Sequence, residues 1–408
     1  MSKISRAFLI LLFICLLSVP SLAAAPSLIS ESAVLIDGDT GQVLYNKSMD
    51  KKQYPASITK IATVITALEN ASLSDKITMS DEAVFSVSRA SSHIALDVGE
   101  EITLEQACYA ALLMSANDAC NGMAELVSGK ISEFVKLMND TAAAAGARGT
   151  HFSNANGLKD SDHYTTAYDM AMICRYAIKN KDFRKIFGTY KYDMPPNNKQ
   201  PLTRHFVNQH SMISDPAFKY DGIIGGKAGW TTAAQYTLVT AAERDGHTLI
   251  AVVMKSPRNN DKYNDTKALL DYGFSEFEPV TYTTSDLGGS NRTLESPITV
   301  FVPKGVGKNG ITSETVMENG KDLLKLTLNA PHDLMQQEIG KFPYSVSIDV
   351  SSPASSPSTG AGGMQVVFIV LSVIIGLAVL FIATIIIRKK IYRMRRRYRT
   401  RRRNERRK

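Results

Sequence analysis

A run of 22 residues without a charge, Val366 to Ile387, constrains this 408-residue chain more than any other feature. It is long enough to cross the hydrocarbon of a bilayer as a helix, and a buried core helix of such uniformity is unusual. The 21 residues that follow, Arg388 to Lys408, hold 14 Lys or Arg and one Glu, a cluster that stays on the cytoplasmic side. At the other end, Lys3 and Arg6 precede an apolar block from Ala7 to Val19 and the small residues Ser21, Ala23, Ala24 and Ala25. That is the layout of a secretory signal peptide, with an apolar block too short to span comfortably. The bulk of the chain is therefore expected outside the cytoplasm, tethered by one C-terminal span.

This partition changes the meaning of the net charge. The whole chain carries +8, but the tail contributes +13 and the signal peptide +2, leaving about −7 on the rest. The basic residues lie where anionic lipid head groups lie, so nucleic acid is not an expected partner. Of four cysteines, Cys15 lies in the signal peptide. Cys108, Cys120 and Cys174 match neither a disulfide framework nor a metal-ligand spacing. They read as buried thiols, with one disulfide left open, and neither a metal nor a cofactor is expected.

Between the two ends, Ser32 to Lys47 has the pattern of a hairpin, with apolar strands either side of Asp37-Gly38-Asp39-Thr40-Gly41. A helix is expected from Ser57, with Ile58, Ile61, Ala62, Val64, Ile65 and Leu68 on its apolar face. A second helical block covers 103–128 and is interrupted at Ser115-Ala116-Asn117-Asp118. Strands are expected at 236–241 and 248–254, then a helix near 260–272, whereas 186–220 is polar with few signals. Strands at both ends and helices between them give an α+β domain. From Val280 to Val350 the composition turns to short alternating Thr, Val and Ile stretches, which read as a small separate all-β domain. Residues 351–363 are a Ser/Pro/Gly linker. The expected organisation is a signal peptide over 1–25, a catalytic domain over 26–278 and a β domain over 279–350. The linker over 351–363, a transmembrane helix over 364–387 and a basic tail over 388–408 complete it.

The chemistry starts at Tyr54-Pro55-Ala56-Ser57-Ile58-Thr59-Lys60. On a helix, Ser57 and Lys60 lie on one face a turn apart, so the amine can reach the hydroxyl and activate it as a nucleophile. The plainer reading is an N-cap serine followed by a solvated lysine. A second Ser-x-x-Lys match, Ser48-Met49-Asp50-Lys51, lies in a polar stretch and carries no such pattern. Ser115 and Asn117 offer two more hydrogen-bonding side chains between apolar helices, or simply an ordinary helix-to-helix turn.

Ser57-x-x-Lys60, Ser115-x-Asn117 and Lys227-Ala228-Gly229 occur in the order and approximate spacing of the penicillin-binding serine hydrolases, which share a β-lactamase-like fold. Within them, residues 28–280 resemble the low-molecular-mass D-alanyl-D-alanine carboxypeptidases of bacterial cell walls. Asn156-Gly157-Leu158, His163-Tyr164-Thr165-Thr166 and Lys267 to Phe274 add to the resemblance. It implies a serine-type D-Ala-D-Ala carboxypeptidase that trims peptidoglycan stem pentapeptides during cell wall biogenesis and is inhibited covalently by β-lactams. Ser57 would be acylated, Lys60 would act as general base, Ser115 would relay a proton, and Asn117 would orient Lys60 and the substrate. Burial and the charge of Lys227 would depress the Lys60 pKa. Lys227, on an edge strand, would attract the substrate carboxylate, and the backbone N–H groups of Ser57 and Trp230, the latter just after Gly229, would form the oxyanion hole.

The third motif departs from the family pattern, in which Thr or Ser occupies the position of Ala228. Carboxylate binding would then rest on Lys227, on Thr231 or Thr232, and on Lys255, Arg258 or Lys262, with weaker substrate affinity. The alternatives are a DD-endopeptidase, a β-lactamase or a non-catalytic wall-binding protein. No Glu-x-x-Leu-Asn stretch, which one β-lactamase class uses to activate water, lies between Ser115 and Lys227.

Overall fold

The computed structural model describes residues 25–287, 292–329 and 337–346. The signal peptide up to residue 24, the linker, the apolar run at 364–387 and the basic tail lie outside the described residues. Among the described residues, no helix is long and apolar enough to cross a membrane.

The chain opens with strands β1 (Ser32–Asp37) and β2 (Val43–Lys47), followed by helix α1 (Lys60–Asn70). Strand β3 (Lys76–Thr78), helix α2 (Asp81–Phe85) and strand β4 (Glu101–Thr103) lead to α3 (Leu104–Leu113), α4 (Asn117–Ser128) and α5 (Ile131–Ala144). Helices α6 (Ala167–Ala177) and α7 (Lys181–Phe187) precede the hairpin β5 (Lys191–Met194) and β6 (Arg204–Val207), then the short α8 (Ser211–Ser214). Strands β7 (Ile223–Thr231), β8 (Gln235–Arg244) and β9 (His247–Ser256) run into α9 (Asn259–Glu276).

Five of these strands form one antiparallel sheet in the order β2-β1-β9-β8-β7. Successive side chains of a strand point to opposite faces, and both faces of this sheet are covered. On one side Val34, Ile36, Val239, Ile250 and Val252 join the core built with α1 and α3 to α6. On the other, Leu35, Leu238, Leu249 and Val253 pack under Tyr263, Leu269 and Leu270 of α9. Two-sided burial explains why β8 and β9 read as nearly continuous apolar runs instead of alternating ones. Helix α9 comes very close at Gly273, where a Cβ would lie 2.6 Å from Leu249 and 2.7 Å from Leu35.

Helix α1 is buried on every side from Lys60 to Ala67, so the helices pack around it. The interruption at 114–116 is real. Helix α3 starts with a Thr103–Gln106 capping box, and α4 restarts after Ser115, which adopts a left-handed φ of 61°. The polar stretch that gave few sequence signals forms the β5–β6 hairpin, fixed by Tyr192 stacked on Tyr109 at 3.9 Å and by Arg204 paired with the buried Glu100.

From Phe277 to Val346 the described residues are mainly β-strand, in part as expected. Strand β10 (Phe277–Tyr282) pairs with β12 (Ile298–Pro303). Strands β11 (Arg292–Leu294), β13 (Ile311–Glu318), β14 (Lys321–Leu328) and β15 (Gln337–Val346) form a sheet in the order β11-β15-β14-β13. Leu324, Leu326 and Leu328 on alternate positions of β14 fill its core with Val300 and Val302. This region is seated on the first: Phe277 and Phe301 belong to the core beneath α9. The Gln42 side chain donates to the Phe301 carbonyl at 2.6 Å and accepts from its N–H at 2.9 Å.

Candidate active site

Ser57 does not open an α-helix, as its spacing suggested. It sits in a 3-10 turn, Ala56–Thr59, and the α-helix begins at Lys60. The cause is Ala56, a non-glycine residue held at a left-handed φ of 53°, which forces a tight entry before the regular helix. Serine and lysine nevertheless share a face. The Lys60 Nζ lies 3.2 Å from Ser57 Oγ, 2.6 Å from Asn117 Oδ1 and 2.6 Å from the Asn156 carbonyl.

Lys60 is completely buried. Loss of solvation dominates its titration and brings the pKa down to about 8, against the opposing influence of Cys120 and Asp118. The expected like-charge effect falls on the other lysine. Lys227, also buried, is lowered well below its ordinary value by desolvation first and by the charge of Lys60 second. Its Nζ donates to the Ala228 carbonyl at 3.0 Å. Lys227 thus sits behind the cleft wall, on β7 at the edge of the sheet, as the sequence suggested.

The groups around this pair are fixed from several elements. Asn117, the first residue of α4, donates through Nδ2 to Ser91 Oγ at 3.0 Å, and its N–H bonds the Ser92 carbonyl at 2.9 Å. The buried Asp118 carboxylate accepts from the Ile94 and Leu96 N–H groups. The irregular segment after α2 is therefore pinned against the base. Asn156 Nδ2 donates to Asn121 Oδ1 at 3.4 Å, which steadies the residue whose carbonyl receives Lys60. Thr237 Oγ1 on β8 donates to the Pro55 carbonyl at 2.9 Å, fastening the turn to the sheet.

Gly229 on β7 passes directly beside the nucleophile. A Cβ there would be 2.8 Å from the Ser57 nitrogen and 2.5 Å from Thr237 Oγ1. Only a residue without a side chain leaves room between the Ser57 N–H and β7, where an oxyanion would sit.

A cleft of about 290 Å³ opens over these groups, and Ser57, Ser115, Gln209, Ala228, Gly229, Trp230 and Lys262 are among the residues that line it. Trp230 is a large exposed side chain among them, at 57%. Thr231 lies at the end of β7, where its hydroxyl accepts from the Ala234 N–H in the turn to β8. It is not among the cleft-lining residues. Of the three basic residues at 255–262, Lys255 pairs with Glu31 and Arg258 with Asp261, and neither is among the residues lining the cleft. Lys262 is the one that lines it, with its ammonium 5.1 Å and 5.0 Å from the ring centroids of Tyr236 and Tyr263. Burial brings its pKa down to about 8. Sequence reasoning missed the Asn156 carbonyl, Ser91 and Thr237, which come from loops and strands far from the motifs.

The three cysteines are free and buried, and desolvation raises each thiol pKa. Among the described residues no group of His, Cys, Asp and Glu could hold a metal ion. A cleft-lining serine in reach of a buried lysine amine, beside a backbone N–H facing that cleft, is suited to nucleophilic acyl transfer.

Comparisons with known proteins agree with that chemistry. A family model for D-alanyl-D-alanine carboxypeptidases, the S11 peptidases, matches residues 20–258. The D-alanyl-D-alanine carboxypeptidase DacF of Bacillus subtilis is 33% identical over 307 residues, covering 71% of this chain and 77% of the relative. The crystal structure of the Streptomyces K15 DD-transpeptidase is 28% identical with a TM-score of 0.58, covering 62% of this chain and all of that one. DacD of Francisella tularensis, at 24% identity and a TM-score of 0.62, covers 81% of this chain and 95% of its own and extends the likeness in fold. The chain therefore belongs to the D-alanyl-D-alanine carboxypeptidase family, peptidase family S11, and is a serine-type D-Ala-D-Ala carboxypeptidase.

Proposed function

We propose that this carboxypeptidase removes the terminal D-alanine of peptidoglycan stem peptides through an acyl-enzyme on Ser57. The observation that carries this reading is the fully buried Lys60 amine, within hydrogen-bond reach of Ser57 Oγ and aligned by Asn117 and the Asn156 carbonyl. With a pKa of about 8, roughly one amine in ten is neutral at pH 7, ready to accept a proton. Ser57 Oγ attacks the penultimate carbonyl as its proton passes to Lys60. The oxyanion is received by the N–H groups of Ser57 and Trp230 across Gly229. Collapse breaks the C–N bond, and the leaving amine takes a proton by way of Ser115. Water then repeats the sequence on the ester, and a β-lactam stops at that stage.

Lys262 supplies the positive charge for the terminal carboxylate, and Ala228 offers no hydroxyl beside it. Lys227 adds to the field: an arriving carboxylate offsets the effect of its burial and favours the charged form. Residues 26–278 form the catalytic domain and 279–350 the β domain, held outside the cytoplasmic membrane. Residues 1–25 serve as a signal peptide, and the 364–387 span is followed by a cytoplasmic basic tail.

The test is labelling of the full chain with fluorescent penicillin, mapping of the adduct by mass spectrometry, and incubation with a stem pentapeptide. An adduct on Ser57 that turns over slowly, together with free alanine and tetrapeptide, is expected, and Ser57→Ala should abolish both. An adduct on another residue would overturn the assignment.

A further inference from the structure

His163 has no part in the acyl-transfer steps above, yet it is buried and its two ring nitrogens are committed in opposite senses. The Ser153 N–H donates to Nδ1 at 3.0 Å, so Nδ1 carries no proton and the neutral ring bears its proton on Nε2. Nε2 lies 2.9 Å from Thr59 Oγ1, and Thr59 Oγ1 lies 2.9 Å from the Ala56 carbonyl. Every bond in this chain runs one way: Ser153 N–H to His163, His163 to Thr59, Thr59 to Ala56. Phe152 packs on the ring, with centroids 5.5 Å apart. Desolvation lowers the His163 pKa to about 4, with Asp160 opposing and His151 and Lys60 reinforcing, so the ring is neutral at working pH.

The Ala56 carbonyl at the end of this relay belongs to the same planar peptide as the Ser57 N–H. In a trans amide the C=O and N–H point in opposite directions. Holding the carbonyl toward Thr59 therefore turns the N–H the other way, to the gap beside Gly229. Something has to hold it, because Ala56 sits at a left-handed φ of 53° that a non-glycine residue seldom adopts. Gly157 leaves room for the bond from Thr59: a Cβ there would be 2.0 Å from the Ala56 oxygen and 3.0 Å from Thr59 Oγ1.

We propose that His163 is a positioning residue for the acyl-transfer step, acting through Thr59 on the Ala56–Ser57 peptide to aim the Ser57 N–H at the oxyanion. This rests on the reading of Ser57 as nucleophile and oxyanion donor given above. The relay acts when charge develops on the substrate oxygen and contributes nothing to ground-state binding, so its loss lowers kcat and leaves KM nearly unchanged.

The experiment compares Thr59→Val, Thr59→Ser, His163→Leu and the double variant Thr59→Val/His163→Leu in the full chain. Fluorescent penicillin gives the acylation rate and a stem pentapeptide gives the kcat and KM. Thr59→Val keeps the side-chain shape but cannot pass the bond on, and is expected to lower acylation and kcat about ten- to a hundredfold. Thr59→Ser should act like the unsubstituted protein. Because both residues serve one relay, the double variant should be no slower than the worse single variant. Acylation of Thr59→Val at the unsubstituted rate, or losses that multiply in the double variant, would overturn the proposal. Should His163→Leu fail to fold, His163→Phe takes its place, and a folded His163 variant without a donor that acylates at the unsubstituted rate would overturn the proposal. The adduct in the unsubstituted protein keeps the two readings apart: an adduct off Ser57 strikes the nucleophile, whereas an adduct on Ser57 unaffected by Thr59→Val strikes only the relay.

Discussion

Replacing Ala228 by threonine tests how the cleft holds a carboxylate. Ala228 lies on β7, lines the cleft with Lys262, and pairs across the sheet with Leu238. An edge strand accepts a β-branched residue readily, so the substitution should leave the fold intact. The added hydroxyl would donate to a carboxylate already drawn by Lys262. A hydrogen bond to a charged group contributes about 1.5–3 kcal/mol, and the lower end applies to a wall open to solvent. That corresponds to an acylation rate about tenfold higher for penicillin. The assay is the second-order rate of fluorescent penicillin labelling, with Ala228→Val as a control for shape and a penicillin methyl ester as a control for charge. Neither the valine variant nor the ester should show the gain. An unchanged or lower rate in Ala228→Thr, with thermal unfolding unaltered, would refute the reasoning, as would an equal gain for the ester.

Further predictions concern the lysines and the packing. Acylation should rise with pH as Lys60 loses its proton and fall as Lys262 loses its own, and because both pKa values lie at about 8 the profile should peak near there. Lys262→Arg, whose guanidinium stays charged, should move only the falling limb to higher pH in a stopped-flow profile. Gly229→Ala would place a methyl group 2.8 Å from the Ser57 nitrogen, and labelling should drop at least about a hundredfold. Gln42→Leu would strip both backbone partners from Phe301 and should cost about 2–4 kcal/mol in urea unfolding. Limited proteolysis of that variant should cut first beyond Glu276.

Much of the site could be read from the residues because its chemistry depends on short, ordered spacings. Ser57 and Lys60 are three apart, and the helix interruption at 114–116 marks Ser115 and Asn117. The backbone is a different matter. Nothing in Asn156 as a letter says that its carbonyl receives the Lys60 ammonium, because any residue has a carbonyl. The 3-10 entry at Ala56 was equally hidden, since alanine normally favours a regular helix and the bonds from Thr59 to Ala56 and from Thr237 to Pro55 hold it otherwise. Lys255, Arg258 and Lys262 were equivalent candidates in sequence. Pairing with Glu31 and Asp261 distinguishes them, and one of those pairs spans more than 200 residues. The β5–β6 hairpin escaped notice because its strands are four residues long and mostly exposed, so period-two alternation has little length in which to show.

The encirclement of α1 has a consequence for when the enzyme becomes reactive. An unfolded chain keeps the Lys60 amine in water, where it holds its proton and cannot activate a hydroxyl. The amine is stripped of solvent only when helices α3 to α6 and the sheet have closed around it. The nucleophile is thus assembled by the final packing of the whole domain rather than by any local segment. A chain still unfolded, or one opened in part, has no reactive serine for substrate or antibiotic, and covalent labelling by penicillin reports on complete folding as much as on chemistry.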